Sequence, residues 1–310
     1  MSEKDLSYII PPISRELLKL ELNVDTFIRN TNKGSNEIYL INNENAPNTL
    51  REIGRLRELA FARSGGGTGL PLDLDEYDTT KGSYEQLIVF SPEYQEIIGG
   101  YRFIDCGKVK RDDKGKIPLS TAHYFKFSDQ FVEDYLPHTI ELGRSWVHPE
   151  FQPSVNPRKG LFALDNIWDG LGAIIVTYPH IKYFFGKITM YSDFHSEARD
   201  AVLQFMDFHF HDSEKLVTPI HPLATKNNLK DFMDEIKPLP FKEGYRVLQK
   251  YSRERNENVP PLFNSYMNLS PTMKCFGTAQ NPDFGGVEET GIMVTIKDIY
   301  PEKKDRHIDF

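Results

Sequence analysis

In the stretch TIELGRSWVHPEFQP, residues 139–153, a glutamate and an arginine stand three apart, Glu141 and Arg144. A second arginine, Arg102, sits in Gly100-Tyr101-Arg102-Phe103, and acids crowd Asp73-Leu74-Asp75-Glu76-Tyr77-Asp78. Arg57 precedes them, with Phe61 four residues on. A carboxylate enclosed by apolar strands can take a proton from a reacting group, the task of a general base. An arginine can grip a carboxylate through two parallel hydrogen bonds. Glu141 is the candidate base. Arg102 and Arg144 are candidates to orient the acids or clamp a substrate carboxylate. Arg57, Phe61, Asp75 and Asp78 complete the set on the substrate side. The same residues would also make one buried ion-pair network tying a loop to a sheet, because such networks imitate sites. For Arg57 and Asp73 we favour that plainer role.

The elements that must position these side chains can be read from periodicity. Residues 14–22 form a short helix capped by Ser14, and Glu37–Ile41 a strand. Asn48–Arg63 repeats Leu50, Ile53, Leu56, Leu59 and Ala60 at helical spacing, with Asn48 as its cap. Gln86–Ser91 and Glu96–Asp105 are strand-like and close enough for a hairpin. Thr139–His148 is another strand, Phe162–Tyr178 a helix stopped by Pro179, Tyr183–Tyr191 a strand and Ser196–Phe210 a helix. Helix-like stretches follow at Leu229–Ile236, Tyr245–Arg255 and Pro261–Leu269, and a strand at Gly291–Ile299 closes the chain. This order predicts an α/β fold with a mixed, mostly antiparallel sheet flanked by helices. We expect an N-terminal extension over 1–47, a core over 48–215 and a helical C-terminal extension over 216–310, packed as one compact unit. In a regular strand Glu141 and Arg144 face opposite ways, so a β-bulge is required to bring them together.

The ordered set Arg-x-x-x-Phe, acid-x-Asp-x-Tyr-Asp, Gly-x-Arg-Phe and Glu-x-x-Arg resembles the acyl-homoserine-lactone synthase branch of the GNAT superfamily. It is more similar still to that branch's hemolysin-like relatives, the N-acyltransferases of ornithine-lipid and glycine-lipid synthesis. Pro260-Pro261-Leu262-Phe263-Asn264-Ser265-Tyr266, then Cys275-Phe276-Gly277 and Asp283-Phe284, resemble the tail of those lipid-forming enzymes. The likeness runs over roughly residues 50–300. The lactone synthases carry a Trp after the Phe, whereas Ser64–Gly69 stands here, so their S-adenosylmethionine site is not implied.

The resemblance implies a GNAT-like core. It also implies aminolysis of a thioester, moving a fatty or 3-hydroxyfatty acyl group to the α-amine of glycine or ornithine. Val147-His148-Pro149-Glu150-Phe151-Gln152 is similar to the entry of the loop that holds the pyrophosphate of coenzyme A. Pro153-Ser154-Val155-Asn156-Pro157-Arg158-Lys159-Gly160 then replaces the expected glycine turn. A phosphopantetheine arm on acyl carrier protein has no such pyrophosphate. The implied donor is therefore acyl carrier protein, with acyl-CoA as the alternative, and no cofactor is bound. Arg158 and Lys159 could meet the arm's single phosphate, or could be solvated charges. Backbone N–H groups near the end of the Glu141–Val147 strand would hold the oxyanion. Carrier protein is acidic, and Gly107–Lys116 offers five cations in ten residues to receive it, or is a plain solvated turn.

Bulk properties agree with a soluble enzyme. The chain has 310 residues, 39% hydrophobic and 26% charged. A net charge of −8 argues against nucleic acid as the partner. Apolar runs such as Ala173–Val176 are far shorter than the ~18–20 residues of a spanning helix. Two cysteines, Cys106 and Cys275, suit a reducing cytosol. The first residues show no export pattern, and transient contact with a membrane surface through Tyr183–Phe185 is compatible with a lipid product. The 12% aromatic content fits either a large core or an apolar substrate channel.

Several weaker signals compete. His195 and Asp200 match the His-x4-Asp pattern of lysolipid O-acyltransferases, yet sit about 140° apart on a helix. His209, His211 and His221 lack metal-helix spacing, so no metal is expected. GGGTGLP lacks the Lys-Ser/Thr of a nucleotide loop, and LDLDEYD lacks the later ligands of a calcium loop. A non-catalytic lipid- or carrier-binding module would explain the same fold without turnover.

Overall fold

A computed structural model describes residues 5–113 and 115–308. Lys114, one of the cations of the 107–116 segment, lies outside them. The strands are β1 (Phe27–Asn30), β2 (Glu37–Ile41), β3 (Glu85–Ser91), β4 (Glu96–Asp105), β5 (Phe125–Phe127), β6 (Thr139–Val147), β7 (Tyr183–Met190), β8 (Val217–Pro219), β9 (Lys274–Asn281) and β10 (Val287–Thr295). The helices are α1 (Arg15–Glu21), α2 (Pro47–Arg63), α3 (Glu76–Thr79), α4 (Ala163–Thr177), α5 (Ser196–Phe210), α6 (Lys230–Ile236), α7 (Phe241–Arg253), α8 (Pro261–Met267) and α9 (Pro301–His307). The architecture is α/β with mostly antiparallel β-structure flanked by helices.

The chain forms two compact units. The first takes the residues up to Cys106, then Ile140–Ile181, then those from Pro301 on; the second takes Gly107–Thr139 and Lys182–Tyr300. These divisions do not fall at 47/48 and 215/216, because later segments return to pack with earlier ones.

In the first unit the strands run in the order β1-β2-β3-β4-β6 with antiparallel pairing throughout. The core includes Ile38, Ile41, Leu87, Ile88, Val89, Phe103 and Ile140, and α2 adds the buried Leu50, Ile53 and Leu56. α4 packs across β3 and β4. Ser14 caps α1 as expected, accepting from the Glu16 amide. Asn48 does not cap α2. Ala46 holds that position with Pro47 following it, and the cap comes from α1. The Glu21 carboxylate accepts from the amides of Asn48 and Thr49 at 3.0 and 2.7 Å. A carboxylate so placed satisfies two orphan donors and complements the helix dipole. α9, absent from the sequence reading, is tied back: Arg29 donates to the His307 carbonyl at 2.7 Å, and His307 Nδ1 meets Asp169 at 2.7 Å.

In the second unit β7, β10 and β9 pair antiparallel in that order, and β5 pairs with β8. Phe131 and Phe185 meet edge to face at 5.3 Å between ring centroids, with Phe276 5.9 Å from Phe185. α5 packs against β9 and α7. The strand expected at Gly291–Ile299 runs instead over Val287–Thr295 and does not end the chain, since α9 follows. β1, β5, β8 and β9 were not anticipated. β5 and β8 have three residues each, too few to show a period of two.

Candidate active site

The acidic loop is seated on α2 by a close contact. Gly54 lets Leu74 approach so nearly that a Cβ there would lie 2.6 Å from Leu74 Cγ. The Asp73 amide bonds to the Gly54 carbonyl at 3.0 Å. The chain then turns into α3, a short helix rather than open loop. Asp75 caps it by accepting from the Tyr77 and Asp78 amides, while Asp78 accepts from the Asp75 amide. This reciprocal capping box fixes both carboxylates independently of the arginines.

Arg57 comes from α2 into the middle of this arrangement. Its Nε donates to Asp73 at 2.9 Å and its Nη1 to Asp78 at 2.9 Å. The side chain is 0% exposed. Arg102 comes from β4 and donates to Asp75 at 2.6 Å and Asp78 at 3.0 Å. Gln86, opposite Arg102 on β3, adds a bond from its Nε2 to Asp78 at 2.9 Å. Three arginines meet three aspartates here, the third being Arg144.

The strand register explains how Arg144 arrives. Glu141 lies opposite Ile104 and Gly143 opposite Arg102, so Glu141, Gly143 and Arg102 share one face of the sheet. Trp146, however, lies opposite Gly100. Arg144 and Ser145 therefore oppose Tyr101 alone, two residues against one, which is a β-bulge. Arg144 takes φ 47° there. The bulge turns its side chain back to the Arg102 face, where Nη2 lies 3.2 Å from Asp73 and 3.7 Å from Asp75.

Glu141 is fully buried on that face and accepts from the Tyr84 hydroxyl at 2.7 Å. Tyr84 was not a sequence candidate. Its ring lies under the Arg102 guanidinium at 5.0 Å, and Tyr77 lies 5.6 Å from the same group. Gln86 was also missed, though the hairpin register would have placed it opposite Arg102. Nothing in the local sequence around Tyr84 signalled its role.

Electrostatics follow from burial and pairing. Burial alone would raise the Asp78 carboxyl, but Arg57 and Arg102 outweigh it and hold it well below the ordinary range. Asp73 is lowered too, with Arg57 and Arg144 overcoming its burial. The Tyr77 phenol is pushed up to about 12, chiefly by burial and then by the acids around it. Burial also raises the Cys106 thiol well above its usual value, with the Glu141 charge adding to the effect and a backbone hydrogen bond at Glu141 opposing it. The network's open edge is Asp75, 33% exposed, and Arg144, 17% exposed.

Phe61 lies one turn beyond Arg57 on α2 and is buried. Arg158 and Lys159 stand in the turns before α4 rather than at its first residues. Arg158 is exposed. Lys159 is engaged: its Nζ is 3.3 Å from Glu96 and lies over the rings of Tyr94 and Phe151 at 4.7 and 5.1 Å. Asp200 of the competing His-x4-Asp pattern is committed elsewhere. Its Oδ1 accepts from Arg199 at 2.8 Å and its Oδ2 from the amides of Lys226 and Asn227 and the Asn227 side chain. His195 is exposed and uses its backbone amide to reach Glu257. His209 packs on Phe205 while His211 pairs with Asp207, so the two histidines serve different partners.

An acetyltransferase (GNAT) domain family matches residues 56–158, the segment holding all four clusters. Over 300 residues the chain is 53% identical to the glycine N(alpha)-acyltransferase of Bacteroides thetaiotaomicron, covering 97% of this chain and 89% of that protein. The chain belongs to this family. It is an N-acyltransferase. The glycine N(alpha)-acyltransferase of Phocaeicola vulgatus is 51% identical over 301 residues, covering 97% of this chain and 92% of that one. The structure of FeeM, an N-acyl amino acid synthase from uncultured soil microbes, is 9% identical with a TM-score of 0.40, over 87% of this chain and 94% of that one. That likeness is too slight to bear on fold or activity. No helix among the described residues is long and apolar enough to cross a membrane.

Proposed function

We propose that this acyltransferase moves a fatty or 3-hydroxyfatty acyl group from the thioester of acyl carrier protein to the α-amine of glycine, with Glu141 as the proton acceptor. The observation carrying the reading is Glu141 itself, a fully buried carboxylate on the face that also bears Arg102 and the bulged Arg144. Two relatives more than half identical across nearly the whole chain, both named for glycine, support glycine over ornithine as acceptor.

In this reading glycine enters as a zwitterion. Arg144, on the open edge of the network, takes its carboxylate, and Asp75 faces its ammonium. Arg57, Asp73 and Asp78 do not touch substrate. They form the rigid floor that holds Arg102 and α3, with Phe61 beside it. Glu141 takes one proton from the ammonium, and the freed amine attacks the thioester carbonyl carbon. The resulting oxyanion is met by backbone N–H groups near the end of the Glu141–Val147 strand. When it collapses, the C–N bond remains, the C–S bond breaks, and the amine's second proton leaves as the thiolate becomes a thiol. Arg158 is the cation for the phosphate of the arm, and Lys159 anchors that loop through Glu96.

Purified enzyme incubated with glycine and an acyl thioester, on carrier protein or on coenzyme A, tests the reading by mass spectrometry. N-acylglycine should form, faster from carrier protein, and Glu141→Gln should lower the rate by about 10²–10⁴-fold. Undiminished turnover by Glu141→Gln would remove Glu141 from the chemistry. Equal use of both donors would remove the preference for carrier protein.

A further inference from the structure

We propose that Tyr84 is the positioning residue for Glu141, holding its carboxylate through the phenolic hydroxyl and linking it to Arg102 through the ring. This rests on Glu141 being the proton acceptor.

Tyr84 stands where α3 hands the chain to β3. Its backbone amide donates to the Tyr77 carbonyl at 3.1 Å, which ties it to the turn behind the capping box. Its ring meets the Tyr77 ring edge to face at 5.4 Å. The side chain is 2% exposed, so the hydroxyl has little rotational freedom. From this fixed frame the hydroxyl donates to Glu141 Oε1 at 2.7 Å. The other face of the problem is Arg102, whose guanidinium lies 5.0 Å from the Tyr84 ring centre. A cation over a phenol withdraws electron density and makes its O–H a stronger donor. One residue thus couples the cation of the network to the carboxylate that must accept the proton.

The consequence concerns protonation as well as geometry. A donor to a carboxylate favours its ionised form, the form that can act as base. Tyr84 keeps its own proton throughout, so the transfer from ammonium to Glu141 remains balanced. Other charged or titratable groups near this pair are Asp75, Asp78 and Tyr77 from α3, Arg57 from α2, Arg102 from β4, Cys106 after β4, and Arg144 with Asp73 beside the bulge. Replacing the hydroxyl leaves all of them in place.

The test compares Tyr84→Phe with the parent chain in glycine acylation across pH. Tyr84→Phe should lower kcat by about tenfold, the scale of one charge-assisted hydrogen bond, with the KM for glycine within about twofold. The acidic limb of the kcat profile should move to higher pH. Incorporating 3,5-difluorotyrosine at position 84 strengthens the donor and should move the limb the other way. A purely structural Tyr84 would lower thermal stability and leave the limb where it was, and that result overturns the proposal. Glu141→Gln separates the two ideas. If it is inactive while the Tyr84→Phe profile is unshifted, Glu141 stands and Tyr84 falls. If it is fully active, both fall.

Discussion

Arg144 Nη2 lies 3.2 Å from Asp73 Oδ1, although strand alternation would send Arg144 to the face opposite Glu141. The bulge that reverses it sets Arg144 at φ 47°, a conformation that costs a side-chain-bearing residue about 1–2 kcal/mol. Without the bulge, Arg144 would lie on the wrong side of the sheet to meet Asp73 and Asp75.

Two substitutions at this position should separate strain from charge. Arg144→Ala and Arg144→Gly should both raise the KM for glycine steeply. Arg144→Gly should be the more stable of the two by about 1 kcal/mol, because glycine carries no penalty there. Urea unfolding of both proteins, beside glycine titrations, checks the pair of outcomes. Equal stability would mean that the bulge does not store strain.

Asp78 receives Arg57, Arg102, Gln86 and the Asp75 amide. Asp78→Ala should cost about 3–5 kcal/mol, as removing one partner strands buried charges. Since its folded pKa is depressed, the contribution of Asp78 is fully present above the unfolded value and is lost only as pH falls through the folded one. Denaturation of parent and variant at pH 4.5 and pH 7 should therefore show nearly the same difference. A difference that vanishes by pH 4.5 would contradict the pairing.

His148 acts in the same direction, through burial rather than pairing. Burial, with Arg55, Lys159 and Arg63 nearby and Glu96 opposing, lowers its pKa from 6.5 to about 4. Between those values the unfolded chain binds a proton that the folded chain does not, so stability falls as pH drops from 6.5 toward 4. The loss is at most about 2–3 kcal/mol. Nδ1 accepts from the Glu150 amide at 3.0 Å, a bond asparagine can imitate. His148→Asn should flatten the pH dependence of the melting temperature between pH 4.5 and 7; an unchanged slope would place the titration elsewhere.

The His195 and Asp200 positions should divide cleanly. His195→Ala should retain glycine acylation within about twofold, as exposed side chains away from special features usually matter little. Asp200→Ala should unfold at distinctly lower denaturant, because it removes one of the two acids paired with Arg199 and strands two backbone amides. Loss of acyl transfer in His195→Ala with full stability would revive the hydroxyl-activating alternative.

Much of the secondary structure was legible from local pattern. Glu37–Ile41 and Ser196–Phe210 match their sequence readings to the residue. Long periodic segments declare themselves because the period is repeated several times within the element. The failures are short or externally capped. α3 has four residues and its signal, an aspartate three before another, lay inside a run read as loop. Asn48 was a fair cap by type, but Glu21 of another helix occupied that role, and no local rule reports a contact between helices.

The candidate site divides along the same line. Which residues carry charge, and that a bulge must reconcile Glu141 with Arg144, follow from the sequence alone, because alternation along a strand is a property of the covalent chain. Which acid meets which arginine does not follow. Arg57 looks like Arg144 in sequence, yet one is sealed on the floor of the network and the other stands at its open edge. That difference comes from Gly54 admitting Leu74 and from the hairpin register opposite Arg102. Tyr84 reached Glu141, 57 positions away, for the same reason. Periodicity fixes what a segment can be, whereas packing between segments decides what each side chain touches.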